Sequence, residues 1–329
     1  MPKLNLLKLL QTKIDKMQSR NVKNNIKGSL LLCIAAFIWG LAFVAQTDAG
    51  SRIPLFTFNG LRAFIAAVFL FIVGSIIKFG DGTKFLPREK SERKRLFKAG
   101  IICGVLLFVA ANLQQFGLTA YPDGVAAEAR GGFLTALYII IVPILSLFMK
   151  KKPGLGVWIA VVIAIAGTYL LCMGAGSGGF HLGDIMLILC AVGFSVHIMA
   201  ISKFGDGVNG IKLSAIQFLV CGVLSLVPAL VFESTDFQTL ISAMPQILYV
   251  GIFSSGVAYT LQIIGQKYAE PSVATLSMSL ESVFAALGGW LISGNSLGAK
   301  EIVGCAFVFV AVLIAQIDIK SVFGLKHKK

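Results

Sequence analysis

Charge is scarce in this chain. Of its 329 residues only 13% are Asp, Glu, Lys or Arg, about half the ~25% of an ordinary soluble domain. Hydrophobic residues make up 57%, and the mean hydropathy is +0.85. A water-soluble globular protein is excluded. Long period-two alternation is missing as well, which excludes an outer-membrane barrel, whose strands alternate apolar and polar over ~10 residues. Histidine is rare: His181, His197 and His327 are the only three. No His-Glu-x-x-His zinc motif can be written with them, and no carboxylate cluster resembles a metal site. The glycine-rich stretch GAGSGG at 174–179 lacks a Walker lysine and follows no strand, so it reads as a flexible turn. A GxSG-type serine centre fails too, because Ala175 stands where a glycine is required before Ser177. The six cysteines fall inside apolar runs without CxxC or CxxxC spacing and read as small buried hydrophobes. Neither an enzyme nor a cofactor is expected, and without an ATP-binding domain any uphill work must draw on an ion or solute gradient.

What the chain has in abundance is apolar helix. At ~20 residues per bilayer crossing, ten stretches qualify: 28–47, 56–77, 97–119, 124–149, 154–173, 184–202, 212–232, 245–267, 272–293 and 300–318. The expected class is an all-α membrane protein of ten transmembrane helices with no room for a soluble domain. Lys and Arg provide an independent check, because they concentrate on the cytoplasmic side. With the N-terminus inside, 25 of the 29 basic residues fall in cytoplasmic segments, chiefly 1–27, 78–98, 150–152 and the region after Asp318. This predicts a multi-pass protein of the cell (plasma) membrane with both termini cytoplasmic. The formal charge of +14 therefore points to topology and membrane lipid. Nucleic acid is not an expected partner, since no soluble domain gathers basic residues with aromatic ones. In 1–20, Leu4, Leu7, Leu10, Ile14 and Met17 share one helical face opposite lysines, a spacing suited either to a helix on an anionic leaflet or to a basic tail that only fixes topology.

The chain also repeats itself. Shifted by 148 residues, Val109, Leu113, Gln114, Gly117, Val125 and Gly156 fall on Val257, Leu261, Gln262, Gly265, Val273 and Gly304. The LQxxG of 113–117 thus recurs at 261–265. At a shift of 155, Gly28, Leu32, Ala36 and Ala45 fall on Gly183, Leu187, Ala191 and Ala200, with Trp39 over Phe194 and Arg62 over Gln217. The predicted organisation is a basic segment 1–27, a first repeat 28–173, a second repeat 184–318 and a basic tail 319–329. Five helices per repeat is an odd number, so the second unit must cross in the opposite sense as an inverted-topology repeat. Two such halves can exchange conformations around a midplane site, which is the design of a secondary transporter. Two other classes fit less well: a membrane-embedded small-molecule sensor and a lipid-head-group enzyme.

Four motifs carry a family resemblance: Trp39-Gly40-x-x-Phe43, the FxxxR of Phe58 to Arg62, GGFLTALYIIIVPIL at 131–145 and PSVATLSMSLESVFAALGGWLISG at 271–294. Over about 28–318 the chain resembles the EamA-type drug/metabolite transporter superfamily. The resemblance implies a ten-helix basket of two inverted repeats with a central cavity. It also implies a permease for amino acids, metabolites or drug-like solutes, often working outward as an exporter. Three places depart from the pattern, one of them the Glu128-Ala-Arg130 of the fourth helix. Gly294-Asn295 stands where relatives often carry Gly-Glu, and Lys150-Lys151-Lys152 stands where a Glu is common.

Ionisable residues inside spans are expensive and usually face a cavity or a partner. Four stand out: Arg62, Glu128, Arg130 and Glu281. At ~1.5 Å per residue, Arg62 and Glu128 reach similar depths from the outer face, and Glu281 sits near mid-membrane within reach of Arg130. The expected pairs are thus Arg62 with Glu128 and Glu281 with Arg130. Glu281 and Arg130 would bind the ammonium and carboxylate of a zwitterionic or polar solute, and Glu281 could also carry a proton. The alternative reading is that these charges only hold helices together or snorkel, which suits Arg62 best. Gln114 and Gln262, equivalent in the repeat, supply donors and acceptors. Trp39, Phe133, Tyr138, Tyr259 and Trp290 could form aromatic walls, with Asn112 and Gln115 as further lining residues. Gly100-x-x-x-Gly104 would allow close helix packing and leaves a homodimer open.

Overall fold

The computed structural model describes residues 2–77, 85–122, 127–150, 152–172, 179–293 and 298–316; side chains before Asn25 and those of Glu128, Ala129, Leu171, Cys172, Ile292 and Ser293 lie outside the described set. The face proposed for the 1–20 helix, residue Asp318 and the 174–178 part of the glycine-rich turn therefore also lie outside it. Among the described residues all regular structure is helical. In chain order the elements are α1 (Pro2–Gly50), α2 (Leu55–Ile76), α3 (Lys90–Thr119), α4 (Ala127–Thr135), α5 (Tyr138–Phe148), α6 (Leu155–Cys172), α7 (Leu182–Phe204) and α8 (Gly210–Phe232). Then come α9 (Phe237–Ser242), α10 (Met244–Tyr249), a π-helical segment (Val250–Ala258), α11 (Tyr259–Gly265), α12 (Pro271–Met278), α13 (Leu280–Ser293) and α14 (Ala299–Ala315).

Helix lies within each of the ten apolar stretches, but among the described residues only seven helices are long and apolar enough to cross a bilayer. These are Asn25–Gly50, Leu55–Ile76, Lys90–Thr119, Arg130–Phe148, Leu182–Phe204, Gly210–Phe232 and Met244–Gly265. α6 offers a shorter apolar helix, Leu155–Leu170. The α12–α13 stretch is interrupted, so neither piece spans alone, and α14 has only 17 residues.

The helix ends follow local chemistry. Pro54 precedes α2, and Pro271 opens α12 at a position where a missing N–H costs nothing. Asn209 caps α8 by accepting from the Ile211 and Lys212 N–H groups. The first turn of α2 is satisfied from a distance. The Glu233 carboxylate, just past α8, accepts from Phe56 N–H at 2.9 Å, Thr57 N–H at 2.7 Å and the Thr57 hydroxyl at 2.7 Å.

Three interruptions were not foreseen from hydropathy. Between α4 and α5 the backbone tightens to three-residue bonds, Ile139 N–H to Ala136 O and Ile140 N–H to Leu137 O. Pro143 one turn later cannot donate back to Ile139. Ser279 separates α12 from α13, with its hydroxyl bonded back to Leu276 O at 2.7 Å. Hydroxyls of Ser277 and Thr275 do the same to Val273 O and Ser272 O, the kind of back-bonding that bends helices. The widened π turn Val250–Ala258 exposes Ser254 O, which accepts from the Trp39 indole N–H at 3.1 Å. Such π segments often mark functional sites.

The repeat reappears as duplicated packing. A Cβ on Gly28 would lie 2.8 Å from Gly265 O, and a Cβ on Gly183 would lie 2.7 Å from Gly117 O. By the two shifts these are the same contact made twice. In both, a leucine fills the neighbouring space: Leu32 beside Gly265, Leu187 beside Gly117. The two copies sit at opposite ends of the bundle. Gly28 and Gly265 share an end with Ile264 against Gly210 and with Arg95 bonded to Gly207 O. Gly117 and Gly183 share the other with Thr119 against Gly50 and Gln246 bonded to Asp48.

Gly100 and Gly104 are buried within the chain. A Cβ there would meet Ile216 at 2.4 Å and Gln217 O at 2.7 Å, both on α8. The small-residue face considered for a homodimer is thus taken by an internal helix.

Candidate solute-binding site

A partly open cavity lies at the centre of this packing. It holds about 520 Å³, counting space continuous with its opening, and draws its wall from both repeats: Trp39, Phe43 and Gln46 of α1, Arg62 of α2, Gln114 of α3 and Tyr138 of α5. The second half adds Phe194 and Ile198 of α7, Tyr259 and Gln262 of α11, and Glu281 of α13. Several of these are repeat-equivalent: Gln114 with Gln262, Trp39 with Phe194, and Phe43 with Ile198. The charged groups are not duplicated. Arg62 corresponds to Gln217, so the wall is symmetric in shape and asymmetric in charge.

Glu281 is 5% exposed, and its Oε1 accepts from the Tyr138 hydroxyl at 2.7 Å. Arg62, 7% exposed, donates from Nη1 to Gln46 Oε1 at 2.7 Å and stacks its guanidinium 5.4 Å from the Phe58 ring centroid. Among the described residues, neither ion pair includes Arg62 or Glu281. A cation and a carboxyl therefore face one cavity, each held by a neutral partner. The Trp39 and Tyr259 rings meet edge to face at 4.9 Å, and Phe218 and His197 pack on Tyr259 from behind. Gln114 Nε2 reaches Thr135 Oγ1 at 3.4 Å, and Gln262 Oε1 is buried without a protein partner.

Six of the seven residues expected to bind solute, namely Glu281, Gln114, Gln262, Tyr138, Tyr259 and Trp39, thus line the same cavity, and Arg62 joins them. Arg130 does not. Its expected partner was Glu281, but its Nη1 bonds both oxygens of Asp184, at 2.9 and 2.8 Å. Helix rise fixes depth, whereas the ~100° rotation per residue fixes direction, and that rotation turns Arg130 towards α7. The proposed Arg62–Glu128 pair cannot be drawn, since the Glu128 side chain lies outside the described residues and Arg62 is bonded to Gln46. Asn112 sits in a packing network with Asn59 and Ser225. Gln115 bonds Gln46 O, Phe133 packs on Tyr169, and Trp290 is 49% exposed.

Asp184 was overlooked because an acid in the first turn of a helix reads as a cap. It does cap: its Oδ2 accepts from the His181 N–H at 2.8 Å, at the favourable end of the helix dipole. It also accepts from the Tyr121 hydroxyl at 2.7 Å, tying the α3–α4 connection, α4 and α7 together. Burial, then the bond to Asp184, raises the pKa of the Tyr121 phenol, so it stays a donor through the neutral range.

A layer of side chains lies towards each end of the bundle from the cavity. Phe43, Leu118 and Leu187 pack together beneath the Arg130–Asp184 pair. Their repeat equivalents are Ile198, Gln266 and Leu32, where Gln266 Nε2 bonds Ile198 O at 3.1 Å. Among the described residues, neither ion pair lies beyond that second layer. Ser29, which corresponds to Asp184, instead shares a hydroxyl–hydroxyl hydrogen bond with Ser277 Oγ at 2.9 Å and accepts from Gln316 Nε2 at 2.6 Å.

Comparison with known proteins places this geometry in context. The sequence model of the EamA-like transporter family matches residues 26–173 and 181–316. An uncharacterized transporter of Archaeoglobus fulgidus is 29% identical over 88% of this chain and 85% of its own length. The uncharacterized inner membrane transporter YedA of Escherichia coli K12 is 23% identical over 88% of this chain and 90% of its own. A protein solved by crystallography, 21% identical, superposes with a TM-score of 0.71 over 88% of this chain and 96% of that one, so the two share a fold.

Proposed function

The chain belongs to the EamA-like transporter family, and from that premise we propose that it is a secondary carrier for a small zwitterionic solute, working by alternating access. It is a multi-pass membrane protein, and in this reading its ten helices form two five-helix units of opposite orientation in the cell membrane. The Gly28–Gly265 and Gly117–Gly183 contacts, equivalent by duplication and at opposite ends, support the inversion. Both termini are cytoplasmic in this reading, because the Gly28–Gly265 end also carries Lys27, Arg95, Lys98, Lys203 and Lys267.

The observation that carries the substrate class is the placement of Arg62 and Glu281 on one cavity wall without an ion pair between them. A buried charge is costly unless paired. A solute carboxylate would meet the Arg62 fork and its ammonium would meet Glu281, with Trp39 and Tyr259 covering the apolar part. Gln114 and Gln262 would offer the solute equivalent amide groups in either access state. The outer layer Phe43–Leu118–Leu187 and the inner layer Ile198–Gln266–Leu32 would open in turn, as expected of inverted halves of comparable energy.

The test is flux into proteoliposomes with a panel of labelled amino acids. At least one should be accumulated or exchanged, and Arg62→Gln and Glu281→Gln should each lower that flux at least tenfold. A solute that binds but is never moved would make the protein a sensor and overturn the carrier reading. Wild-type flux in both variants would overturn the assignment of the site.

A further inference from the structure

Away from the cavity, at the basic end of the bundle, a second cleft of about 680 Å³ opens between α3 and the end of α7. Lys94, Arg95 and Lys98 line it from α3, and Lys203 and Phe204 line it from α7. The two lysines converge on one ring from different helices, with Lys98 Nζ 5.9 Å and Lys203 Nζ 5.4 Å from the Phe204 centroid. Among the described residues none of the four cations is in an ion pair. Asp206 supplies a single carboxylate at the rim, which leaves an excess of positive charge. Like charges that outnumber their counterions repel one another, and a phosphate between them would relieve that repulsion with charge-assisted hydrogen bonds.

The surface beyond the cleft identifies where that phosphate comes from. α3 and α7 run antiparallel in contact, Gly193 against Ala110. Towards the membrane the faces continuing from Lys98 and Lys203 are apolar and uncovered: Ile101, Val105 and Val109 on α3, Val196, Val192 and Leu189 on α7. We propose that this cleft binds the phosphate of an anionic glycerophospholipid, with the acyl chains laid along the α3–α7 seam. A free phosphate would use the cations and leave the apolar track empty. Basic pockets between helices at the cytoplasmic surface are suited to such headgroups. Because α3 and α7 belong to different repeats, the lipid would staple the two halves at this end.

The experiment measures lipid retained by the purified full-length protein in a neutral detergent, by native mass spectrometry and by the thermal shift on adding lipid. Phosphatidylglycerol should bind at least tenfold more tightly than phosphatidylcholine. Lys98→Ala/Lys203→Ala should weaken phosphatidylglycerol binding about thirtyfold, whereas Lys150→Ala/Lys152→Ala, with the same change in charge, should stay within twofold of wild type. Lys98→Arg/Lys203→Arg should retain binding, which separates loss of charge from loss of fold. Millimolar inorganic phosphate should not displace the lipid. Equal weakening in the two alanine double variants would mean diffuse attraction only, and displacement by inorganic phosphate would mean a site for soluble phosphate; either overturns the proposal. Binding in micelles is independent of flux through the central cavity, so failure here leaves the carrier reading intact.

Discussion

On the alternating-access reading proposed above, which puts the Arg130–Asp184 end outside and lets it close, replacing Asp184 by Asn should loosen that end in its closed state. The pair it forms with Arg130 is buried, with side chains 6% and 5% exposed, and its oxygens also hold Tyr121 and the His181 N–H. Removing one partner of a buried ion pair generally costs about 3–5 kcal/mol, because the other charge is left uncompensated. Asn keeps part of the hydrogen bonding, so about 2–3 kcal/mol is the appropriate figure here. In an outward-open state both groups would be hydrated and would lose little, so the cost falls on the sealed state. The ratio of sealed to open should then drop about 30- to 150-fold. A Leu118→Cys reporter in the closing layer, exposed to impermeant maleimide added outside, should react at least tenfold faster in the Asp184→Asn background. Arg130→Met/Asp184→Leu replaces the pair by apolar groups and should return the rate to within a few-fold of wild type. An unchanged rate in Asp184→Asn would refute the lock, as would a double variant reacting as fast as the single one.

Three further outcomes follow from the packing. Gly28→Val and Gly117→Val each drive side-chain atoms into a carbonyl or a leucine closer than 3 Å, so each should lower stability by about 1–3 kcal/mol, read as a fall in Tm in detergent. Tyr138→Phe removes the donor to Glu281 and should reduce flux about tenfold with a changed pH profile of transport, while Tm moves little. Glu233→Ala leaves the first turn of α2 without the acceptor for two backbone N–H groups and a hydroxyl, which should cost about 1–2 kcal/mol and register in a thermal melt.

Hydropathy located the helices, because each apolar stretch must hide its backbone in hydrogen bonds once it leaves water. It could not place the breaks. Ala136 and Leu137 carry no turn signal, and Ser279 looks like any small polar residue until its hydroxyl is seen bonded to Leu276 O. The repeat exposed Gln114 and Gln262, since shape shared by two halves is written twice. Charge was legible as depth only, which is why Arg130 and Arg62 exchanged their expected places: one faces Asp184 and the other faces the cavity. Asp184 and Gln46 escaped notice because a helix-start acid and a span glutamine have ordinary local explanations. Their roles depend on helix rotation, which needs three-dimensional packing.

The most direct test of alternating access between inverted halves follows two repeat-equivalent reporters, Leu118→Cys and Gln266→Cys, in oriented vesicles while a transported solute is added to one side. Reaction of one with impermeant reagent from its own side should rise as the other falls. Reporters that rise together, that react from the same side, or that never respond to solute would contradict the account.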